Sequence, residues 1–336
     1  LRRAEAVLLF LFIATAAVLF ATRPQPENPS APLQIAATVA AAVPAQSSAP
    51  ASSSAASAPT ATSEPEYFSG TWVQTHPGLD APPITATGAI VVDRDTQQIM
   101  YAKNPDVRRP PASIMKIVTA MVALDIARPQ QVISVSRDAA NQEPNKMGLS
   151  YGEQVSVQDL LYGLLLDSGN DAAEALADGL PGGRASFLRK MNEKAASFGL
   201  KNTRFVDASG IDDQNLTTPY DMAVLANAAL RGYPLIRAVV ATKEIAIPGN
   251  ASHKWFRPIN LNDLLWDYPG TYGVKVGYTD EAGYTIVAAG GRNGHNVLIV
   301  LLGSQRHFTE SRKLFDWAYA HPPAADNTPV KKFPVL

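Results

Sequence analysis

The chain reads as an α/β (α+β) protein, a mostly antiparallel sheet flanked by helices, for three reasons. β-rich runs stand near the start and the end of the part that can fold. Between them lie several segments with apolar residues at helical spacing. The last two strand-like runs are joined by Asn293-Gly294, the sequence signal of a tight hairpin. Strands at both ends with helices between them favour a sheet covered by helices.

The elements follow in order. "TGAIVVDRDTQQIMYAKN" holds two β-rich runs, 89–92 and 98–102, joined through the turn signal Asp93-Arg94-Asp95. In "RRPPASIMKIVTAMVALDIA" the prolines stop the strand, and Ile114, Ile117, Val118, Met121 and Leu124 repeat with a helical period, so a helix starts near Ala112. "VSVQDLLYGLLLDSGNDAAEALADGL" is two helices broken at 167–170, and 185–198 and 218–231 are further amphipathic helices. "YGVKVGYTDEAGY" is a strand, a glycine turn and the start of a second strand, which continues into the Asn-Gly hairpin. A closing helix covers about 308–320, and no internal repeat is present.

The chain has 336 residues, a net charge of −1 and 46% apolar residues, ordinary values for a protein with a substantial core. Nothing in that charge points to nucleic acid. With no cysteine, disulfides, thiolate zinc sites, iron–sulfur clusters and a cysteine nucleophile are excluded. Arg2 and Arg3 precede a stretch without charge or proline, residues 6–22, which as a helix spans roughly 26 Å, near the short limit for a bilayer. It reads as a transmembrane anchor rather than a cleaved signal, because no A-x-A site ends the apolar run. Either reading exports the rest of the chain and keeps the arginines inside. Residues 23–65 are nearly all Pro, Ala, Ser, Thr and Gln, a composition that cannot offset its ordering entropy and predicts a disordered spacer. The expected organisation is therefore 1–22 membrane segment, 23–65 linker, 66–321 folded domain and 322–336 tail.

Three pairings carry chemistry. Ser113 and Lys116 lie one helical turn apart on one face, so the ammonium reaches the hydroxyl, and Lys116 sits between Met115 and Ile117 where burial lowers an amine's pKa. Ser168 and Asn170 stand in the loop "LDSGND", which by itself is an ordinary helix stop and restart. Lys275 and Gly277 frame Val276 at the end of a strand. Each alone is weak. S-x-x-K, then S-x-N 52 residues on, then K-x-G 105 further is far more specific.

Together with "PPASIMKIVTA", "LLLDSGNDAAEALA", "FGLKNTRFVDASGIDDQNLTTPYDMA" and "YPGTYGVKVGYTDEAGYTIVAAGGRNG", these motifs give a sequence that resembles the low-molecular-mass penicillin-binding proteins, the serine D-Ala-D-Ala carboxypeptidases of the DacA type, over about 82–306. The resemblance implies the penicillin-binding protein/β-lactamase-like transpeptidase fold with an all-helical lobe, peptidoglycan stem peptides as substrate, β-lactams as covalent inhibitors, and no cofactor. It implies Ser113 as nucleophile, Lys116 as its base, and Ser168 as a bridge between Lys116, Lys275 and the leaving amine. Asn170 would orient Lys116 and bind the substrate amide. Lys275 would keep Lys116 neutral by like-charge repulsion and attract the substrate carboxylate. The backbone N–H groups of Ser113 and Tyr278, beyond Gly277, would form the oxyanion hole.

The sequence departs from the family at Val276, where a Thr or Ser normally offers its hydroxyl to the carboxylate. Valine is nearly isosteric with threonine but cannot donate, and Thr279 is the one nearby candidate to compensate. A β-lactamase of the same fold needs a glutamate to activate water, and Glu174, Glu193 and Glu244 have no E-x-x-x-N setting. A D,D-endopeptidase, and a non-catalytic wall-binding or β-lactam sensor domain, are the other readings. The five histidines lack metal spacing and read as surface or turn residues, as does Arg292 beside the hairpin turn. Family members often carry a β-rich C-terminal domain and a C-terminal anchor. Both are expected to be absent here, leaving the N-terminal segment to do the anchoring.

Overall fold

The structure is a computed structural model, described for residues 66–77, 79–324 and 327–334. The anchor expected at 1–22 and the linker at 23–65 lie outside these residues. In chain order the elements are α1 (Thr71–Thr75), β1 (Gly88–Asp93), β2 (Gln98–Lys103), a 3₁₀ turn (Ala112–Met115), α2 (Lys116–Ile126), β3 (Val132–Ser134), α3 (Arg137–Ala140), β4 (Gln154–Ser156), α4 (Val157–Leu165) and α5 (Asn170–Gly179). Then come α6 (Gly183–Ser197), α7 (Pro219–Gly232), α8 (Pro234–Ala241), α9 (Leu264–Asp267), β5 (Thr271–Thr279), β6 (Gly283–Arg292), β7 (His295–Ser304) and α10 (His307–Ala320).

Five strands form one antiparallel sheet in the order β2-β1-β7-β6-β5. Both faces are covered, which explains why "VLIVLL" in β7 is apolar at every position instead of alternating. Ile90, Val92, Val274, Val287, Leu298 and Val300 point to the helical lobe, while Ala89, Val91, Ile286, Ala288, Ile299 and Leu301 face Leu314 and Phe315 of α10. The Asn293-Gly294 turn has both residues at positive φ, +53° and +82°, as a twisted two-residue hairpin requires. β5 is an edge strand, the only kind of strand that can accept another extended chain beside it.

The lobe is built around α2, whose residues from Lys116 to Ala123 are all buried. Leu160, Leu161, Leu164 and Leu165 of α4 and the alanines of α5 pack on it, the small residues letting the helices approach closely. Sequence-local caps define the helix starts. Ser156 accepts from Asp159 N at 3.1 Å, and Thr218, followed by Pro219, accepts from Asp221 N at 3.0 Å. Residues 327–334 lie along the domain's start, with Lys331 N donating to Glu66 O and Phe333 packed on Tyr67 and Phe68. Among the described residues no single helix is long and apolar enough to cross a membrane.

Candidate active site

The helix expected to start near Ala112 begins instead as a single 3₁₀ turn, so Ser113 sits in that turn and Lys116 is the first residue of α2. Pro110 and Pro111 before it deny the chain an earlier start. Ala112 adopts φ +49°, a conformation costing a residue with a β-carbon on the order of 1 kcal/mol, and it is held there by tertiary contacts. Thr285 Oγ1 of β6 donates to Pro111 O at 2.8 Å, fastening the nucleophile's turn to the sheet. Gly277 of β5 lies against the same turn: a Cβ there would stand 2.6 Å from Ser113 N and 2.7 Å from Thr285 Oγ1. Only glycine permits the strand edge to come this close.

Lys116 is wholly buried and its Nζ has three neighbours: Ser113 Oγ at 2.8 Å, Asn170 Oδ1 at 2.7 Å and Ser209 O at 2.6 Å. Asn170 Oδ1 and Ser209 O can only accept. A neutral amine has two N–H donors and one lone pair, so the set is filled when those two accept and the Ser113 hydroxyl donates to the lone pair. Burial lowers the Lys116 pKa to about 7, against the fields of Asp207, Glu174 and Asp171, which favour the ammonium.

The Ser209 carbonyl is a site atom that sequence reasoning missed. It is aimed by Asp207, whose Oδ1 accepts from Ser209 N at 2.9 Å and Gly210 N at 2.6 Å and whose Oδ2 accepts from Asp212 N at 2.7 Å. Thr119, one turn beyond Lys116, donates to Ala208 O at 2.7 Å and clamps the loop to α2. The signal that could have found it is "DASG", an aspartate two and three residues ahead of the amides it caps.

Asn170 opens α5. Its Nδ2 donates to Glu143 O at 2.9 Å and its backbone N to Asn145 O at 2.8 Å, so it anchors the cleft's far wall as well as Lys116. Ser168, 5% exposed with φ +62°, lines the cleft, but its hydroxyl is not among the hydrogen-bond partners of either lysine. Lys275 is 1% exposed and donates to Val276 O at 3.0 Å. Its pKa lies well below the usual lysine range, first because of burial and then because of Lys116, with Asp167 opposing. Burial is the leading cause for both lysines, and the like-charge repulsion between them, which acts on both, adds to it.

Ser113, Ser168, Asn170, Val276, Gly277 and Tyr278 line one cleft of about 270 Å³. Its further wall, Tyr284, His307 and Phe308, carries no sequence signal. His307 stacks on Tyr284 with ring centroids 4.7 Å apart, and burial lowers its pKa to about 4, so this half-buried residue is an uncharged wall of the cleft. Thr279 also lines the cleft, but its hydroxyl donates to Asp213 Oδ1 at 2.6 Å and so is not free to replace the donor missing at Val276. None of Glu174, Glu193 and Glu244 lines the cleft: Glu174 pairs with Arg184 at 2.7 Å and Glu244 with Arg257 at 2.7 Å. Arg292 is likewise engaged elsewhere, with Asp316 at 3.3 Å and over the rings of Tyr268 and Tyr319.

A family model described as D-alanyl-D-alanine carboxypeptidase matches residues 75–306. The chain belongs to the D-alanyl-D-alanine carboxypeptidase family of serine peptidases. Among its relatives, the carboxypeptidase DacF of Bacillus subtilis is 32% identical over 263 residues, 74% of this chain and 67% of DacF. DacB2 of Mycobacterium tuberculosis is 34% identical over 245 residues, 70% of this chain and 83% of DacB2. The crystal structure of a D-alanyl-D-alanine carboxypeptidase from Mycobacterium tuberculosis superposes with a TM-score of 0.69 at 32% identity, covering 75% of this chain and 97% of that one. The D-alanyl-D-alanine carboxypeptidase fold, with its antiparallel sheet and helical lobe, is thus the fold of this chain.

Proposed function

We propose that the chain removes the terminal D-alanine of peptidoglycan stem peptides through an acyl-enzyme on Ser113, and that β-lactams acylate the same hydroxyl. The observation that carries this is the Lys116 set, a buried amine 2.8 Å from Ser113 Oγ whose other two partners, Asn170 Oδ1 and Ser209 O, can only accept. The Ser113 proton passes to Lys116 Nζ as Oγ attacks the carbonyl of the penultimate D-alanine. The N–H groups of Ser113 and Tyr278 receive the oxyanion. Collapse breaks the peptide bond, and the leaving amine takes the proton from Lys116 by way of Ser168, which lines the same cleft and turns its hydroxyl toward Nζ to carry it. Water then attacks the ester and gives its proton to Lys116; the ester C–O bond breaks, the shortened peptide leaves as its acid, and Ser113 Oγ takes that proton back from Lys116, restoring both groups.

Such an enzyme works in the bacterial cell envelope. Residues 6–22 suit a membrane anchor and residues 23–65 a spacer that carries the domain out into the wall, a reading supported by their composition. The test is covalent labelling by a fluorescent penicillin together with mass spectrometry of muropeptides. Labelling abolished by Ser113→Ala and loss of one D-alanine from the stem peptide are the expected results. A wild-type chain that takes no label is a wall-binding domain rather than an acylating enzyme, and the proposal is then wrong.

A further inference from the structure

The segment after α8 returns in extended form, bridged at Glu244–Ile259 and Ile247–Phe256. From Trp255 to Leu261 its side chains alternate: Phe256, Pro258 and Asn260 are buried, while Trp255, Arg257, Ile259 and Leu261 face outward. A period of two with large apolar residues on the solvent side is the reverse of what a half-buried strand shows. Trp255 is 56% exposed, Ile259 42% and Leu261 39%. Trp266, 47% exposed, sits beside them, its Nε1 donating to Asn260 O at 3.1 Å and its ring under the Lys243 ammonium.

The track is firmly seated. Ile259 N donates to Asp167 Oδ1 at 2.8 Å, Asn260 N to Lys243 O at 2.7 Å, and Asn260 Nδ2 to Val240 O and Thr242 O. Its hairpin tip is held to the loop before β4, where Lys254 N donates to Glu153 Oε1 at 3.0 Å and Gln154 N to Ser252 O at 3.0 Å. These apolar groups are therefore displayed on a rigid support, and exposed apolar patches of this kind mark interaction sites.

We propose that the ladder of Trp255, Ile259 and Leu261, flanked by Trp266, binds the glycan strand from which the scissile stem peptide hangs. This rests on the function proposed above. Two observations select that occupant. The ladder is continuous with the cleft, because Leu261 lines both. The track is also extended: the run from Leu261 back to Trp255 spans roughly 20 Å, a surface suited to a linear polymer rather than to a small group. Indole rings present a broad apolar face beside a polar edge, the surface that the C–H face of a pyranose with its ring of hydroxyls matches.

The experiment compares the full chain with Trp255→Ala and Ile259→Ser. Penicillin acylation and kcat/KM on a short soluble D-Ala-D-Ala peptide are expected to stay within about twofold, while D-alanine release from intact sacculi falls by about fivefold or more, the size of one lost interface anchor. Sedimentation of the Ser113→Ala chain with glycan strands stripped of peptide is expected, and loss of it in the Trp255→Ala background. Unchanged release from sacculi, an equal fall on all substrates, or binding to intact wall without binding to peptide-free glycan overturns the proposal. If the wild type takes no penicillin, the enzymatic reading fails, and glycan sedimentation still decides whether this surface binds sugar.

Discussion

Lys116 Nζ stands 2.8 Å from Ser113 Oγ, with the lysine wholly buried and the serine partly exposed in the cleft wall. The pair couples a reactive hydroxyl that substrate can reach to a base that water cannot. Burial disfavours the ammonium, and in the neutral amine the two acceptors Asn170 Oδ1 and Ser209 O take the N–H groups and leave the lone pair for the serine proton.

A pH dependence follows. With Lys116 lowered to about 7, the amine is protonated below that pH and neutral above it, so the rate constant of penicillin acylation rises with pH through about 7 and then levels. A limb centred well into the alkaline range, where an ordinary lysine titrates, contradicts this. Lys116→Arg, which keeps its charge at every accessible pH, is expected to lower acylation by about a thousandfold.

Glu174 lies one turn beyond Asn170 on α5, buried and paired with Arg184. Its own pKa is raised to about 7 by burial, and its carboxylate favours the Lys116 ammonium. Removing that charge makes the neutral amine easier to reach. Glu174→Gln is expected to move the acid limb of acylation to lower pH, and a limb that stays in place or moves upward counts against the coupling.

At Val276 the expectation is a gain. Restoring a hydroxyl where the family keeps one adds a hydrogen bond to a charged group, about 1.5–3 kcal/mol, or about ten- to a hundredfold in rate. Thr279 cannot already supply it, since its hydroxyl is bound to Asp213. The measurement is kcat/KM on a D-Ala-D-Ala peptide before and after Val276→Thr, and an unchanged or lower value sinks the idea.

Gly277→Ala forces a Cβ to within 2.6 Å of Ser113 N, so either β5 or the nucleophile's turn must shift. A displacement of this size near a reacting atom costs about a hundredfold. Acylation should fall by about that factor while thermal unfolding shows that the domain still folds. Full activity in the variant would mean that Ser113 and the β5 edge do not need this contact.

Much of the site was legible because its parts are local. Ser113 and Lys116 are one turn apart, so any helix starting there brings them together, and the apolar residues around Lys116 already announced its burial. The Asn-Gly hairpin likewise depends on neighbours a few residues away. The 3₁₀ geometry of the first turn was less legible, because Ala112 stands at positive φ in a turn that Pro111 O fastens to Thr285 of β6, 174 residues away.

The antiparallel sheet, the helical lobe and the family are written in the chain alone, since hydrophobic period and motif order survive without coordinates. Packing added that Ser209 O completes the Lys116 set, that His307 is an uncharged wall, that Thr279 is already engaged, and that Lys116 is buried deeply enough for its pKa to fall to about 7. The physical reason is the same in each case. Hydrogen bonding and desolvation depend on which atoms meet in space, and here the partners are far apart in the chain: Lys116 and Ser209 meet across 93 residues, Thr279 and Asp213 across 66. No pattern among neighbouring letters records such a meeting, so it is fixed only when the sheet and the lobe close on each other.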